Sequence, residues 1–432
     1  MSKVLIVANN SFSSLSNNGK TYEAIFSDFN KADLGQIFFS ENESPDLDYC
    51  NNYFKITDKD VLINTLTLSG KKGGEINKQN YISNENQLAY SKKKIVSVLF
   101  KFLQKRADSL VQLRDLLWSL NFWKTNKLKL WLREYNPQII FFVAGDMEFP
   151  HTVAKWISNE LKIPLVIYFT DDYVLNPQPR NFLDKNRKER ALNFYKDTIA
   201  KSSKLYTIGE LMANEYENYF GKSFNFIMNS VNVNPLINYV DDKSDKVIII
   251  SYFGGLHLNR WKMISRLGSI LNNRAKINVY TIEKPSNDIL SAFERASVNY
   301  CGPVTGENLK CRIIESDVLL HVESDDQYNR SLTKLSVSTK IPEYLMSGRV
   351  ILGFGPVEVA SMRILSDNDI GYVISSSLND FEISQSISKI FDFEQRKDLG
   401  IKGYDFAVAN FSKDVISKKF RKEIEALVLD AK

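Results

Sequence analysis

The chain has 432 residues, 44% hydrophobic and 25% charged, enough mass for roughly two to three domains that each bury a core. Its 56 Lys and Arg against 51 Asp and Glu leave a net charge of +5, a mild excess that suits anionic ligands but does not indicate nucleic acid as a partner. The three cysteines, Cys50, Cys301 and Cys311, form no C-x-x-C pair, which argues against a disulfide framework or a zinc site and for a reducing cytoplasm.

The opening run Val4-Leu5-Ile6-Val7-Ala8 turns polar at Asn9, too short for a signal peptide or a membrane span, and predicts a buried strand. No later run reaches the roughly 18 apolar residues a span needs, so any membrane contact is expected to be peripheral. Asn17-Asn18-Gly19-Lys20-Thr21 imitates a P-loop, but the earlier glycine that the motif needs is Ser14, so that reading fails; substrate is expected here because the segment follows the opening strand, and open α/β sheets bind ligands beyond their strand ends. No G-x-G-x-x-G follows the strand, which counts against a dinucleotide oxidoreductase. Asp46-Leu47-Asp48 matches the D-x-D of metal-dependent sugar transferases, a tripeptide common by chance.

Residues 69–135 form a Lys-rich insertion with a Gly-Lys loop at 70–74 and a helical stretch predicted over about 91–135. Residues 92–106 mix basic and apolar side chains, as helices lying on an anionic membrane surface do and as helices packed on a sheet with a solvated edge also do. Runs at 138–143, 164–168 and 204–208 alternate with helical patterns, the signature of parallel strands with crossover helices. Asp146 and Asp171 follow two of these strands and are expected at a cleft on the acceptor side. A polar linker is placed at 230–244, after which a strand at 246–250 restarts the alternation.

In the second half Phe253-Gly254-Gly255-Leu256-His257-Leu258-Asn259-Arg260 leaves a strand through a glycine turn, and further strands are predicted at 277–280, 317–321 and 349–353. The strongest chemical signal is Ser336-Val337-Ser338-Thr339-Lys340-Ile341-Pro342-Glu343-Tyr344-Leu345-Met346-Ser347-Gly348. A helix start with free amides beside Ser338, Thr339 and Lys340 would bind a diphosphate, and Glu343 on the first turn would accept two ribose hydroxyls. Residues 411, 415, 420, 424 and 428 recur at roughly helical spacing and predict a last helix with one apolar face. His151, His257 and His321 lack ligand spacing, so no metal site is expected.

The segment around Glu343 resembles the nucleotide-binding motif of retaining glycosyltransferases of the family-four type. The resemblance continues through residues 299–304, the helix to residue 317 and residues 371–374, and covers nearly all of 204–420. It implies a GT-B fold: two doubly wound, Rossmann-like α/β domains facing across a cleft, with a C-terminal crossover helix. The acceptor domain is then residues 1–230, the nucleotide-sugar domain 245–405, and residues 406–432 the helix that packs back on the first domain. The resemblance also makes Glu343 the ribose ligand and Arg260, six positions after Gly254, the cation on the diphosphate together with Lys340. Charge that grows on a departing nucleoside diphosphate needs such cations where no metal serves.

Two departures stand out. The family often carries a second glutamate eight residues before the first, and here that position is Leu335; Glu323 could substitute, against the plainer reading of a solvated loop carboxylate. The arginine usual after the first glycine is Gly255, with Lys262 as a possible replacement. Gly355 in Gly353-Phe354-Gly355-Pro356-Val357-Glu358 resembles the loop whose backbone meets the donor, and Glu358 is expected on sugar hydroxyls.

The resemblance implies transfer of a sugar from a nucleotide-diphosphate donor to a glycan or lipid-linked acceptor of a bacterial surface polysaccharide, O-antigen or capsule. Retention is expected, with no metal or cofactor, in the cytoplasm or at the inner face of the membrane. The alternatives are a nucleotide-sugar epimerase of the same fold and a catalytically silent, glycosyltransferase-like binding subunit.

Overall fold

The computed structural model describes residues 2–13, 17–76, 108–176, 179, 181–236 and 247–431. The chain divides into two compact units: Met1–Leu175 with Pro179–Ile227 and Ile416–Lys432, and Asn176–Gln178 with Met228–Val415.

Among the described residues the first unit holds eight strands: β1 (Val4–Ala8), β2 (Leu34–Phe38), β3 (Asn52–Lys55), β4 (Gly74–Ile76), β5 (Ile139–Ala144), β6 (Leu165–Phe169), β7 (Lys204–Thr207) and β8 (Asn225–Phe226). They are ordered β4-β3-β2-β1-β5-β6-β7-β8, all parallel except β4, which runs antiparallel to β3. β1, β5 and β6 are apolar at every position and fully buried, as strands covered on both faces must be.

The insertion departs from expectation. Part of its Gly-Lys loop becomes the edge strand β4, and over its described residues the predicted continuous helix is two helices, Asp108–Ser119 and Asn126–Tyr135. The break has a local cause: Asn121 takes φ 63°, and the Thr125 hydroxyl accepts from Leu128 N to cap a new helix. The basic stretch 92–106 lies outside the described residues.

The second unit holds β9 (Ile248–Phe253), β10 (Ala275–Tyr280), β11 (Val298–Gly302), β12 (Val318–Val322), β13 (Val350–Gly355) and β14 (Tyr372–Ser375). This wholly parallel sheet is ordered β11-β10-β9-β12-β13-β14. Strand order reverses between β9 and β12, as it does between β1 and β5 in the first sheet. Such a reversal opens a crevice at the strands' carboxyl ends. The helix Arg260–Leu271 covers one face through Met263, Ile264, Leu267 and Leu271. Gly268 lets it sit close, since a Cβ there would lie 2.5 Å from Ala296 O.

The last helix, Lys413–Asp430, buries Phe420, Ile424 and Val428, roughly 1.5–3 kcal/mol apiece. Phe420 meets Phe26, Phe141 and Tyr206 with ring centroids 5.3–5.7 Å apart. Val415, expected on the apolar face, is exposed. Ser417 takes the buried position instead, donating to Ile25 O and accepting from Asp28 N, each at 2.8 Å.

Candidate functional site

β9 delivers the chain into Gly254-Gly255, and the following turn carries Leu258 (φ 58°) and Asn259 (φ 59°) into the helix that begins at Arg260. These two left-handed residues swing Arg260, the first residue of its helix, toward the end of β12. There Arg260 Nη2 donates to both carboxylate oxygens of Glu323, at 3.1 and 3.3 Å. The pair is withdrawn from water, with side chains 14% and 3% exposed. Arg260 Nη1 lies 3.2 Å from His257 Nε2, and His257 Nδ1 lies 3.0 Å from Glu283 Oε1. The guanidinium can only donate, so Nε2 accepts and Nδ1 carries the proton toward Glu283. Glu283 also accepts from Leu256 N at 3.0 Å.

The glycines make room for these charges. A Cβ on Gly254, whose φ is +153°, would lie 2.1 Å from Lys340 Nζ; one on Gly255 would lie 2.4 Å from His257 Nδ1 and 2.6 Å from Glu283 Oε1. Lys340 Nζ sits 4.9 Å from the centroid of the buried Tyr252 ring, whose hydroxyl donates to Gly255 O at 2.6 Å. Two cations and two carboxylates thus surround one turn at the reversal of strand order.

The electrostatics follow from burial and partners. Burial pushes the Glu323 carboxyl up, but His321 and Arg260 outweigh it and hold the group at about 2. His321 is buried in β12, and burial holds it below the usual histidine range despite the carboxylate beside it. Its Nε2 lies 3.4 Å from Glu323 Oε1, on the carboxylate that Arg260 Nη2 also engages, so both neighbours favour the ionised form of Glu323. Burial, then the neighbouring Arg260, pushes Lys340 down to about 8. Burial opposes ionisation of Glu283, but His257 and the Leu256 amide hold it below the usual carboxylate range.

Several expected residues sit differently from expectation. Glu323 is no solvated loop carboxylate; it is buried against Arg260. The helix at Lys340 spans only Lys340–Met346, and Thr339 makes no side-chain cap. The amides expected to be free are engaged within the chain: Ser338 N donates to Ser361 Oγ at 2.9 Å, and Ile341 N to Ser338 O at 3.1 Å. Glu343 is exposed on the first turn. Gly355 is a glycine because of its own chain: a Cβ there would lie 2.7 Å from Glu323 O. Glu358 is exposed and pairs with Arg330 at 3.3 Å.

In the first unit, Asn18 falls in the first turn of the helix Asn17–Ile25, Lys20 is exposed, and Gly19 packs on the Ser13 backbone, where a Cβ would lie 2.4 Å from Ser13 N. Asp146 and Asp171 follow the adjacent parallel strands β5 and β6. Asp171 accepts from Tyr173 Oη at 3.3 Å, and Asp146 lies 3.7 Å from Arg187. Asp172 is buried and serves the fold, accepting from Val174 N, Leu175 N and Tyr216 Oη. His151 is equally structural, with Nδ1 3.1 Å from Thr198 Oγ1 and Nε2 3.2 Å from Gly145 O. Among the described residues no group of three or more His, Cys, Asp or Glu is arranged to hold a metal.

Sequence reasoning passed over Glu283 and treated His257 as a lone histidine. The signal for Glu283 was its place three residues beyond Tyr280, the last residue of β10, where parallel sheets present ligand-facing groups.

No protein-family model matches the sequence, and no curated protein sequence matches it. Solved structures do match over nearly the whole chain. HepE from Anabaena in complex with UDP is 11% identical, with 98% of this chain and 100% of that chain covered and a TM-score of 0.62. Sucrose-phosphate synthase from Thermosynechococcus elongatus is 12% identical, covering 99% and 100%, with a TM-score of 0.61. A glycosyltransferase from Rickettsia africae is 11% identical, covering 99% of each chain, with a TM-score of 0.59. At these identities the likeness establishes the fold: two parallel-sheet α/β domains of the GT-B type.

Proposed function

We propose that this chain is a glycosyltransferase that moves a sugar from a nucleoside-diphosphate donor to a glycan or lipid-linked acceptor. The observation that carries this reading is the pair Arg260 and Lys340 gathered around Gly254-Gly255 at the strand-order reversal of the second sheet. It is supported by a fold shared with a protein solved in complex with UDP. Arg260 and Lys340 meet the donor diphosphate, and Glu343 accepts the ribose hydroxyls. As the bond from the anomeric carbon to the diphosphate oxygen breaks, its electron pair leaves on the diphosphate, where both cations stabilise it. The acceptor hydroxyl forms the new bond to that carbon with retention and gives its proton to the departing diphosphate oxygen, and Asp146 and Asp171 bind the acceptor. Those two cations supply the charge a metal would otherwise bring.

The setting is the synthesis of a cell-surface polysaccharide, O-antigen or capsule, at the cytoplasmic face of the membrane. No helix among the described residues is long and apolar enough to cross a membrane, and the net charge of +5 suits peripheral contact with anionic lipid.

A thermal-shift screen of nucleotide sugars in EDTA tests the reading. At least one donor raises Tm by mass action, and Glu343→Ala abolishes the shift without lowering the unliganded Tm. Failure of every donor sinks the reading, and an unchanged shift in Glu343→Ala refutes the ribose assignment. Turnover that needs added Mn²⁺ or Mg²⁺ refutes the metal-free step, and isomerised donor without acceptor marks an epimerase instead.

A further inference from the structure

Arg260 has five N–H donors. Its contacts engage Nη2 with Glu323 and Nη1 with His257, leaving Nε and the second Nη1 hydrogen for an anion. Glu323 is itself almost wholly enclosed: its backbone N donates to Phe354 O at 3.2 Å and its backbone lies against Gly355. A carboxylate so buried, with both oxygens on Arg260, does not present itself to a sugar hydroxyl. At the other Nη, the half-buried Glu283 accepts the Nδ1–H hydrogen bond of His257 and so turns the bare Nε2 toward Arg260.

We propose that Glu323 on one side, and His257 backed by Glu283 on the other, are positioning residues that hold the Arg260 guanidinium where the donor diphosphate will develop charge. This rests on the transferase reading above and assigns Glu323 a role other than substrate ligand. An arginine on a flexible stem must otherwise be ordered during the reaction, whereas one braced at both Nη atoms is ready before it. The bracing acts on the transition state more than on donor binding, because the two remaining N–H donors already meet the ground-state phosphate.

Steady-state kinetics with the best donor of the screen, on Glu323→Gln, Glu283→Gln, Arg260→Ala and the two double variants, test it. Glu323→Gln lowers kcat about tenfold or more with donor KM changed less than about threefold, and Glu283→Gln lowers kcat about two- to fivefold. In the Arg260→Ala background each substitution costs less than about twofold, because there is no guanidinium left to place. Full, additive losses in that background would overturn the proposal and make the carboxylates substrate ligands; unchanged kcat in both single variants would overturn it too. Should Glu323→Gln not fold, Glu283→Gln, at a half-buried position, decides alone. A wild-type chain that turns over no donor and binds no nucleoside diphosphate fails the transferase reading and takes this inference with it. An active wild type with additive losses fails this inference only.

Discussion

Asp115 in the first unit and Glu323 in the second are each enclosed beside an arginine, and their pKa values move in opposite directions. In the first unit Asp115, with a side chain 13% exposed, lies 3.5 Å from Arg190, but that arginine is 47% exposed and sits closer to Glu148, at 2.8 Å. Asp115 Oδ1 is buried without a hydrogen-bond partner. Burial, then repulsion from Glu148, raises its pKa from 3.8 to about 6 despite Arg190 and Arg114. In the second unit Glu323 is the more deeply buried of the two, yet it stays at about 2, because His321 beside it and Arg260, which is shielded from water and engages both its oxygens, together outweigh burial. A nearby arginine does not by itself keep a buried carboxylate charged; an enclosed one that engages both oxygens, with a histidine beside the carboxylate, does.

Breaking the well-matched pair should have the largest effect. Arg260→Ala should lower turnover by about 10²-fold or more at saturating donor, and Arg260→Lys, which keeps the charge but loses the planar fork, should recover only part of it. Full turnover with only a raised KM would reduce Arg260 to a ground-state ligand.

Stability sharpens the contrast through opposite signs. Glu323 has its folded pKa at about 2, below the ordinary 4.5, so its contribution is present above about pH 4.5 and is lost as pH falls toward 2. Glu323→Gln should therefore destabilise at pH 7, by about 3 kcal/mol. Asp115 has its folded pKa raised to about 6, so it costs stability progressively as pH rises from about 4 to 6. Asp115→Asn should then stabilise at pH 7.5, by about 1–2 kcal/mol, and the gain should shrink toward pH 4. Denaturant melts at the two pH values check both, and a loss of stability in Asp115→Asn at pH 7.5 would mean Arg190 holds the carboxylate after all.

The smallest effect concerns the second cation. Lys340, pushed down to about 8 by burial and then by Arg260, carries its charge below that pH and loses it above. Donor affinity should fall roughly five- to tenfold between pH 7.5 and 9, and Lys340→Arg should flatten the profile. A flat profile in the wild type would place Lys340 off the diphosphate.

The alternation of apolar runs with helical patterns was readable because strands covered on both faces leave a continuous apolar mark, as in β1, β5 and β13. Arg260 and the Gly254-Gly255 turn could be singled out because a strand end, a turn and a helix start lie close together in the sequence and resemble a known motif, as does the segment of Lys340 and Glu343; that Lys340 reaches the Gly254 turn was not legible. Glu283 and the burial of Glu323 were not, since each depends on residues 23 to 63 positions from Arg260 along the chain. The helical period carried straight through residues 120–125, where Asn121 and the Thr125 cap broke the helix in two.

By itself, then, the sequence determined what local period and residue type encode: a parallel α/β chain, a glycine turn with cations nearby, and an apolar face on its last helix. Tertiary structure alone decided which charges face one another. Register and the reversal of strand order bring β9, β10 and β12 side by side, so that Arg260, Glu283 and Glu323 come to one place. Packing there set their ionisation, because burial and the number of shared partners, not residue type, decide whether a carboxylate keeps its charge.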